Sequence, residues 1–104
     1  MQYMPARLIR RDKVHRPDGV VFEVVIWAVQ PALAGSEHGF KYRLWAGRAG
    51  RTLVRYHNEA GKGDHRHVGA DGREEQVAFE SMGQTLRAFL RDVDALAATQ
   101  GDPP

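Results

Sequence analysis

The stretch Leu53-Val54-Arg55-Tyr56-His57-Asn58-Glu59-Ala60-Gly61-Lys62-Gly63-Asp64-His65-Arg66-His67-Val68 reads as a strand, a glycine-hinged bend and a returning strand. Leu53, Arg55 and His57 fall in one phase of the first strand and Thr52, Val54 and Tyr56 in the other, so Arg55 and His57 are expected on one face. On the returning strand, predicted over 65–68, the same two-residue period points His65 and His67 one way and Arg66 the other. Three of the five histidines, together with Lys62, Asp64 and two glycines, are concentrated in this segment. A loop of that composition between two strands is where a rigid scaffold usually presents its functional groups.

Working outward, the flanking segments are also strands. Residues 51–57 are preceded by Gly47-Arg48-Ala49-Gly50, a hairpin turn, and by Phe40-Lys41-Tyr42-Arg43-Leu44-Trp45-Ala46, which alternates strictly. Residues 30–39, with Pro31, Gly35 and Gly39, are expected to form a loop. Val20 to Val29 is β-branched and aromatic in both phases, which predicts a central strand covered on both sides or nearly so. Arg16-Pro17-Asp18-Gly19 is strong turn chemistry, and Ala6 to His15 alternates except at Ile9, as a strand near an edge would. Downstream, Gly69-Ala70-Asp71-Gly72 turns and residues 74–79 alternate again. Ser81-Met82-Gly83-Gln84 has capping-box spacing, and Leu86, Phe89, Leu90, Val93, Leu96 and Ala97 follow at helical period until Gly101 and Pro103. The fold class expected is α+β: a mostly antiparallel meander of five or six strands with one C-terminal amphipathic helix on one face. Residues 1–104 should form one domain, with 1–5 and 99–104 frayed.

Composition narrows the function. The chain is 42% hydrophobic and 27% charged, which fits a folded protein and not a disordered one. It has no cysteine, which excludes disulfides, thiolate metal sites and a cysteine nucleophile. Neither a signal peptide nor an apolar run of membrane-spanning length is evident, so a cytoplasmic protein with no membrane partner is expected. Residues 1–68 hold twelve Lys or Arg against six Asp or Glu, whereas residues 69–104 hold three against seven. A basic body of this kind matches either a nucleic-acid-facing surface or simply a solvated sheet face. The sheet side left bare by the helix is where the basic residues and an exposed Trp45 should collect.

The residues of the bend suit chemistry on a phosphodiester. Imidazoles shuttle protons near neutrality, Lys62, Arg55 and Arg66 can neutralise charge building on phosphorus, and Gly61 and Gly63 let backbone amides approach a phosphate. A nucleotide-binding P-loop does not fit, because Gly63 follows Lys62 where Ser or Thr is required. The expected roles are His65 and His67 as acid and base, Asp64 orienting one imidazole, and Lys62, Arg55 and Arg66 holding phosphate. Arg43 and Trp45 add a phosphate contact and a stacking surface, and His57 is an additional candidate. This chemistry calls for no cofactor and no metal. One alternative is a metal site on His65-x-His67 with Asp64 and His57 nearby, compatible with Zn, Mn or Ni and supporting a metal-dependent nuclease. Another is a non-catalytic module that binds RNA, the ribosome or an antitoxin, and the blandest is a set of ordinary turns and solvated histidines.

Val54-Arg55-Tyr56-His57-Asn58 and Gly61-Lys62-Gly63-Asp64-His65-Arg66-His67, with the acidic strand and terminal helix that follow, resemble the TumE family of small bacterial and archaeal toxins from type II toxin-antitoxin systems. The resemblance in element order covers most of the chain after residue 5. It implies a cognate antitoxin with a DNA-binding helix-turn-helix and a growth-inhibiting activity. His57 stands where the family pattern mostly has Asp, which moves weight to Lys62, Asp64, His65, Arg66 and His67. The combined expectation is a toxin acting on RNA as a metal-independent endoribonuclease, either monomeric or a small oligomer such as a homodimer.

Overall fold

A computed structural model describes residues 6–30, 38–59, 61–69 and 73–100. Six strands lie side by side in chain order, every neighbouring pair antiparallel: β1 (Ala6–His15), β2 (Val21–Val29), β3 (Phe40–Arg48), β4 (Arg51–Glu59), β5 (Gly63–Val68) and β6 (Arg73–Gln76). A single helix, α1 (Met82–Gln100), packs against β3 and β4. This is the α+β meander expected from the alternating segments.

The turns form where the chain chemistry permits them. Asp18 accepts the Val20 N–H at 3.1 Å and Gly19 takes φ +87°, closing the β1–β2 hairpin. Ile9, which breaks the alternation of β1, is the extra residue of a bulge between Leu8 and Arg10. The glycine-rich bend is shorter than its composition implies. Asn58 pairs with Asp64 and Glu59 with Gly63, and the Lys62 N–H donates to the Glu59 carbonyl at 3.1 Å, so the strands run almost to the tip. Gly61 (φ +86°) and Gly63 (φ +75°) are needed for that tight reversal.

Period-two alternation then sorts the side chains. Val24, Ile26, Tyr42, Leu44, Ala46, Val54 and Tyr56 project to one side, where Phe89, Val93 and Ala97 of α1 cover them and complete the core. Phe89 is fully buried, with its ring edge-on to Phe22 and Tyr56 at centroid separations of 6.2 and 5.9 Å. Burying a phenylalanine in this way contributes about 3 kcal/mol. Ser81 caps the helix by accepting the Gln84 N–H at 3.0 Å.

Some boundaries differ from the sequence reading. The last strand ends at Gln76, not at 79: the Val77 N–H donating to the Asp64 carbonyl closes the β5–β6 ladder in register, and beyond it Phe79 stacks on His38 at a centroid distance of 3.6 Å. The helix runs through Thr99, whose hydroxyl donates to the Ala95 and Leu96 carbonyls. β2 is close to the expected doubly covered strand: the core buries Val24 and Ile26 on one side, and on the other Val25 is buried while Val21, Glu23 and Trp27 are half-buried. The loop expected over 30–39 and the turn at 69–72 fall largely on 31–37 and 70–72, which lie outside the described residues, as do 1–5 and 101–104.

Trp45 is half-buried rather than exposed. Its indole N–H donates to Thr52 at 3.0 Å, and its ring closes over Gly47, where an added Cβ would stand 2.6 Å from Cζ2 and 2.7 Å from the Arg51 carbonyl oxygen. The Arg51 carbonyl belongs to the backbone of a paired strand and cannot swing aside as a side chain can. Gly47→Ala is therefore expected to lose about 1–3 kcal/mol of stability, read by urea denaturation, whereas the same change at the unobstructed but positive-φ Gly50 should cost about 1 kcal/mol.

Candidate functional site

The sheet face turned away from α1 carries two aligned rows of side chains. Cross-strand pairing places Arg11, Val25, Arg43, His57 and His65 in one row, and Lys13, Glu23, Trp45, Arg55, His67 and Glu74 in the next. At about 4.8 Å per strand, the distance from Arg11 to His65 is roughly 19 Å. A cleft of about 540 Å³ opens along this surface, lined by Arg11, Trp27, Lys41, Arg43, Arg55 and His57. Among the described residues, Arg11, Lys41, Arg43 and Arg55 have no ion-pair partner. Their charge is therefore available to a ligand, and Val25 is kept dry between Arg11 and Arg43 by the arginine stems.

The rows end in three imidazoles. His57 on β4 faces His65 on β5 directly, and His67 follows two residues along the same strand. The Nε2 atoms of His57 and His67 are 3.0 Å apart with the rings stacked at 16°, and the His57 and His65 centroids are 4.0 Å apart. His65 is the innermost, only 1% exposed. Its Nδ1–H donates to the Gly63 carbonyl at 3.2 Å, and its Nε2 is buried without a hydrogen-bond partner, 3.4 Å from a Glu74 oxygen and 3.7 Å from a Glu59 oxygen. Burial, reinforced by His65, Arg55 and His67, lowers the His57 pKa from 6.5 to about 4, so this ring is neutral at pH 7.

The opposite face separates two residues from this cluster. Asp64 points toward the helix side, where it accepts the Tyr42 hydroxyl at 2.6 Å and meets His38 Nε2 at 3.0 Å. Burial and this bond to Asp64 raise the Tyr42 pKa far above its ordinary range. Arg66 also turns to the helix side, clamping Glu75 at 2.6 Å and Asp92 at 2.9 Å. Asp92 in turn accepts the Tyr56 hydroxyl at 2.5 Å, and burial together with that bond pushes the Tyr56 pKa up to about 12. Asp64 thus orients His38 rather than His65 or His67, and Arg66 ties β5 and β6 to α1.

Of the other residues singled out in the sequence, Lys62 is exposed at the turn with its Nζ 3.5 Å from Glu74, and Gly61 and Gly63 shape that turn. Arg43 and Arg55 share the open face with the histidines. Several contributors escaped the sequence reading. Lys41 and Arg11 line the cleft, and their alternation phase was the signal that placed them there. Asn58, 2% exposed, accepts the Tyr42 N–H and donates to the Phe40 carbonyl, a side chain continuing the β3–β4 ladder that no local pattern announces. Glu59 and Glu74 border the cluster only because of the strand register.

A six-stranded antiparallel meander backed by one helix, with a cationic open face ending in a histidine cluster, defines the class of domain. The family model for Toxin TumE matches residues 3–97, so the chain belongs to the TumE family and its role is that of a toxin. No curated protein and no solved structure matches it significantly. No helix among the described residues is long and apolar enough to cross a membrane.

The neutral state of His57 has a consequence for stability. Between pH 6.5 and about 4 the unfolded chain takes up a proton that the folded chain resists, so this contribution is complete above pH 6.5 and is lost as pH falls toward the folded-state value. Unfolding free energy measured in metal-free buffer should decline over that interval by roughly 1–2 kcal/mol from this ring, discounted for its partial exposure. His57→Gln should flatten the decline. An unchanged slope in the variant would contradict the burial of the neutral ring beside His65, His67, Arg43, Arg55 and Glu59.

Proposed function

We infer that this toxin acts on RNA, and that it cleaves the chain at the histidine cluster without a metal. The observation that carries the reading is the cationic patch of Arg11 and Arg43 in one row, Arg55 in the next, and Lys41, without ion-pair partners among the described residues and leading to three adjacent imidazoles on the uncovered side of the sheet. Cations spaced across strands suit the phosphates of a single strand, and Trp27 in the cleft wall offers a stacking surface. The acid–base pair falls to His57 and His67, whose Nε2 atoms lie 3.0 Å apart, with His65 beneath them. The unprotonated imidazole takes the proton of a ribose 2′-hydroxyl as O2′ bonds to phosphorus. The protonated one donates to the departing 5′-oxygen as the P–O5′ bond breaks, leaving a 2′,3′-cyclic phosphate and a 5′-hydroxyl. Arg43 and Arg55 offset the charge that accumulates on the phosphorane oxygens.

Membership of the TumE family supports a cytosolic site of action and a type II arrangement, in which a cognate helix-turn-helix antitoxin neutralises the toxin by binding it. Non-catalytic capture of RNA uses the same cationic row and is the second reading. Labelled RNA incubated with the purified chain in EDTA separates the two. Cleavage is expected to yield cyclic-phosphate ends and to fall at least about 100-fold in His67→Ala while binding persists. Retarded but intact RNA would leave the chain a binder, and RNA neither cleaved nor retarded would remove both readings. Arg43→Ala with Arg55→Ala should reduce the salt dependence of RNA binding by a log–log slope of about 1.4, measured by filter binding across a salt series.

A further inference from the structure

The three histidines are arranged as metal ligands. His65 and His67 share a face of β5 because they are two residues apart, and His57 stands across from His65 on β4, so two rigid strands supply all three rings. One ligand nitrogen from each lies within 4.8 Å of the others, and the closest pair is separated by 3.0 Å. Nitrogens bound at about 2.0–2.1 Å around a tetrahedral ion stand roughly 3.3 Å apart, so small side-chain rotations suffice to close the set.

Independent support comes from His65. A buried imidazole normally satisfies both ring nitrogens, yet here Nδ1–H is committed to the Gly63 carbonyl and Nε2 is buried without a hydrogen-bond partner. That is the arrangement of a histidine ligand: a backbone carbonyl fixes the tautomer, and the other nitrogen holds its lone pair toward the ion. Glu59 and Glu74 approach the same nitrogen at 3.7 and 3.4 Å, placing carboxylates beside the cluster. Asp64, the acid nearest in sequence, is on the opposite face and takes no part.

We propose that His57, His65 and His67 bind one divalent transition ion of the zinc class, with a remaining coordination position beside Glu59 and Glu74 on the open face. Three neutral nitrogen donors favour such an ion over magnesium or calcium, which demand oxygen. Binding takes the lone pairs of His57 and His67. Where RNA cleavage by the imidazole pair holds, an occupied site therefore switches that step off. This regulatory consequence rests on the reading above, whereas the site itself does not.

The test uses the full chain, stripped with a chelator that is then removed, and titrated with Zn²⁺ against a chromogenic competitor. A parallel Co²⁺ titration is followed by visible absorption. One ion per chain is expected, with affinity lowered about 100-fold or more in His67→Ala and in His57→Asn, and unchanged in His15→Ala. Circular dichroism establishes that each variant is folded. Zinc uptake no stronger than that of a His57→Asn/His67→Ala double variant, or loss of affinity in His15→Ala as well, overturns the site. RNA cleavage by the same samples separates the two ideas. Cleavage that falls as zinc is added supports both, and zinc uptake with intact RNA throughout keeps the site and removes the nuclease reading. Cleavage confined to the zinc-loaded chain keeps the site and overturns the metal-free chemistry.

Discussion

The pairing register between β4 and β5 is the constraint on which the structure depends. With His57 opposite His65 and Tyr56 opposite Arg66, strand alternation sends every second residue of the hairpin to opposite sides of the sheet. A slip of one residue would place Arg66 beside His57 on the open face and turn His65 and His67 toward the helix. The register is held at the tip by the Glu59–Lys62 turn with its positive-φ glycines, and along its length by Val54 and Tyr56 in the core. Packing and chemistry are therefore fixed by the same event.

The two faces then acquire different electrostatic characters. On the helix side charged groups are matched: Arg66 with Glu75 and Asp92, and Asp64 with Tyr42 and His38. Groups half-buried there must be paired, since an unpaired charge away from water costs several kcal/mol. On the open side Arg11, Lys41, Arg43 and Arg55 have no ion-pair partner among the described residues, and solvent carries the cost of their charge.

Much of this was legible in the sequence, and the limits have physical causes. Alternation gave the strands, Ile9 marked the bulge, and the phase of Arg55, His57, His65 and His67 placed them together. Proximity in sequence misled about Asp64 and Arg66, because neighbours along a strand face opposite ways. Nothing local distinguished Asn58, whose role depends on Phe40 and Tyr42 eighteen and sixteen residues earlier. His38 stacks on Phe79 beyond the end of the last strand, which stops at Gln76 although the Val77–Phe79 alternation had extended it. Non-local contacts of this kind are invisible to periodicity.

Imidazole ¹H–¹⁵N correlation spectroscopy with nuclear Overhauser contacts tests the central arrangement most directly. In this arrangement His65 is a single slow-exchanging tautomer protonated at Nδ1, and the ring protons of His57 lie close to those of both His65 and His67. Averaged tautomers at His65, or contacts from His65 and His67 to Phe89 of the helix instead of to His57, would contradict it.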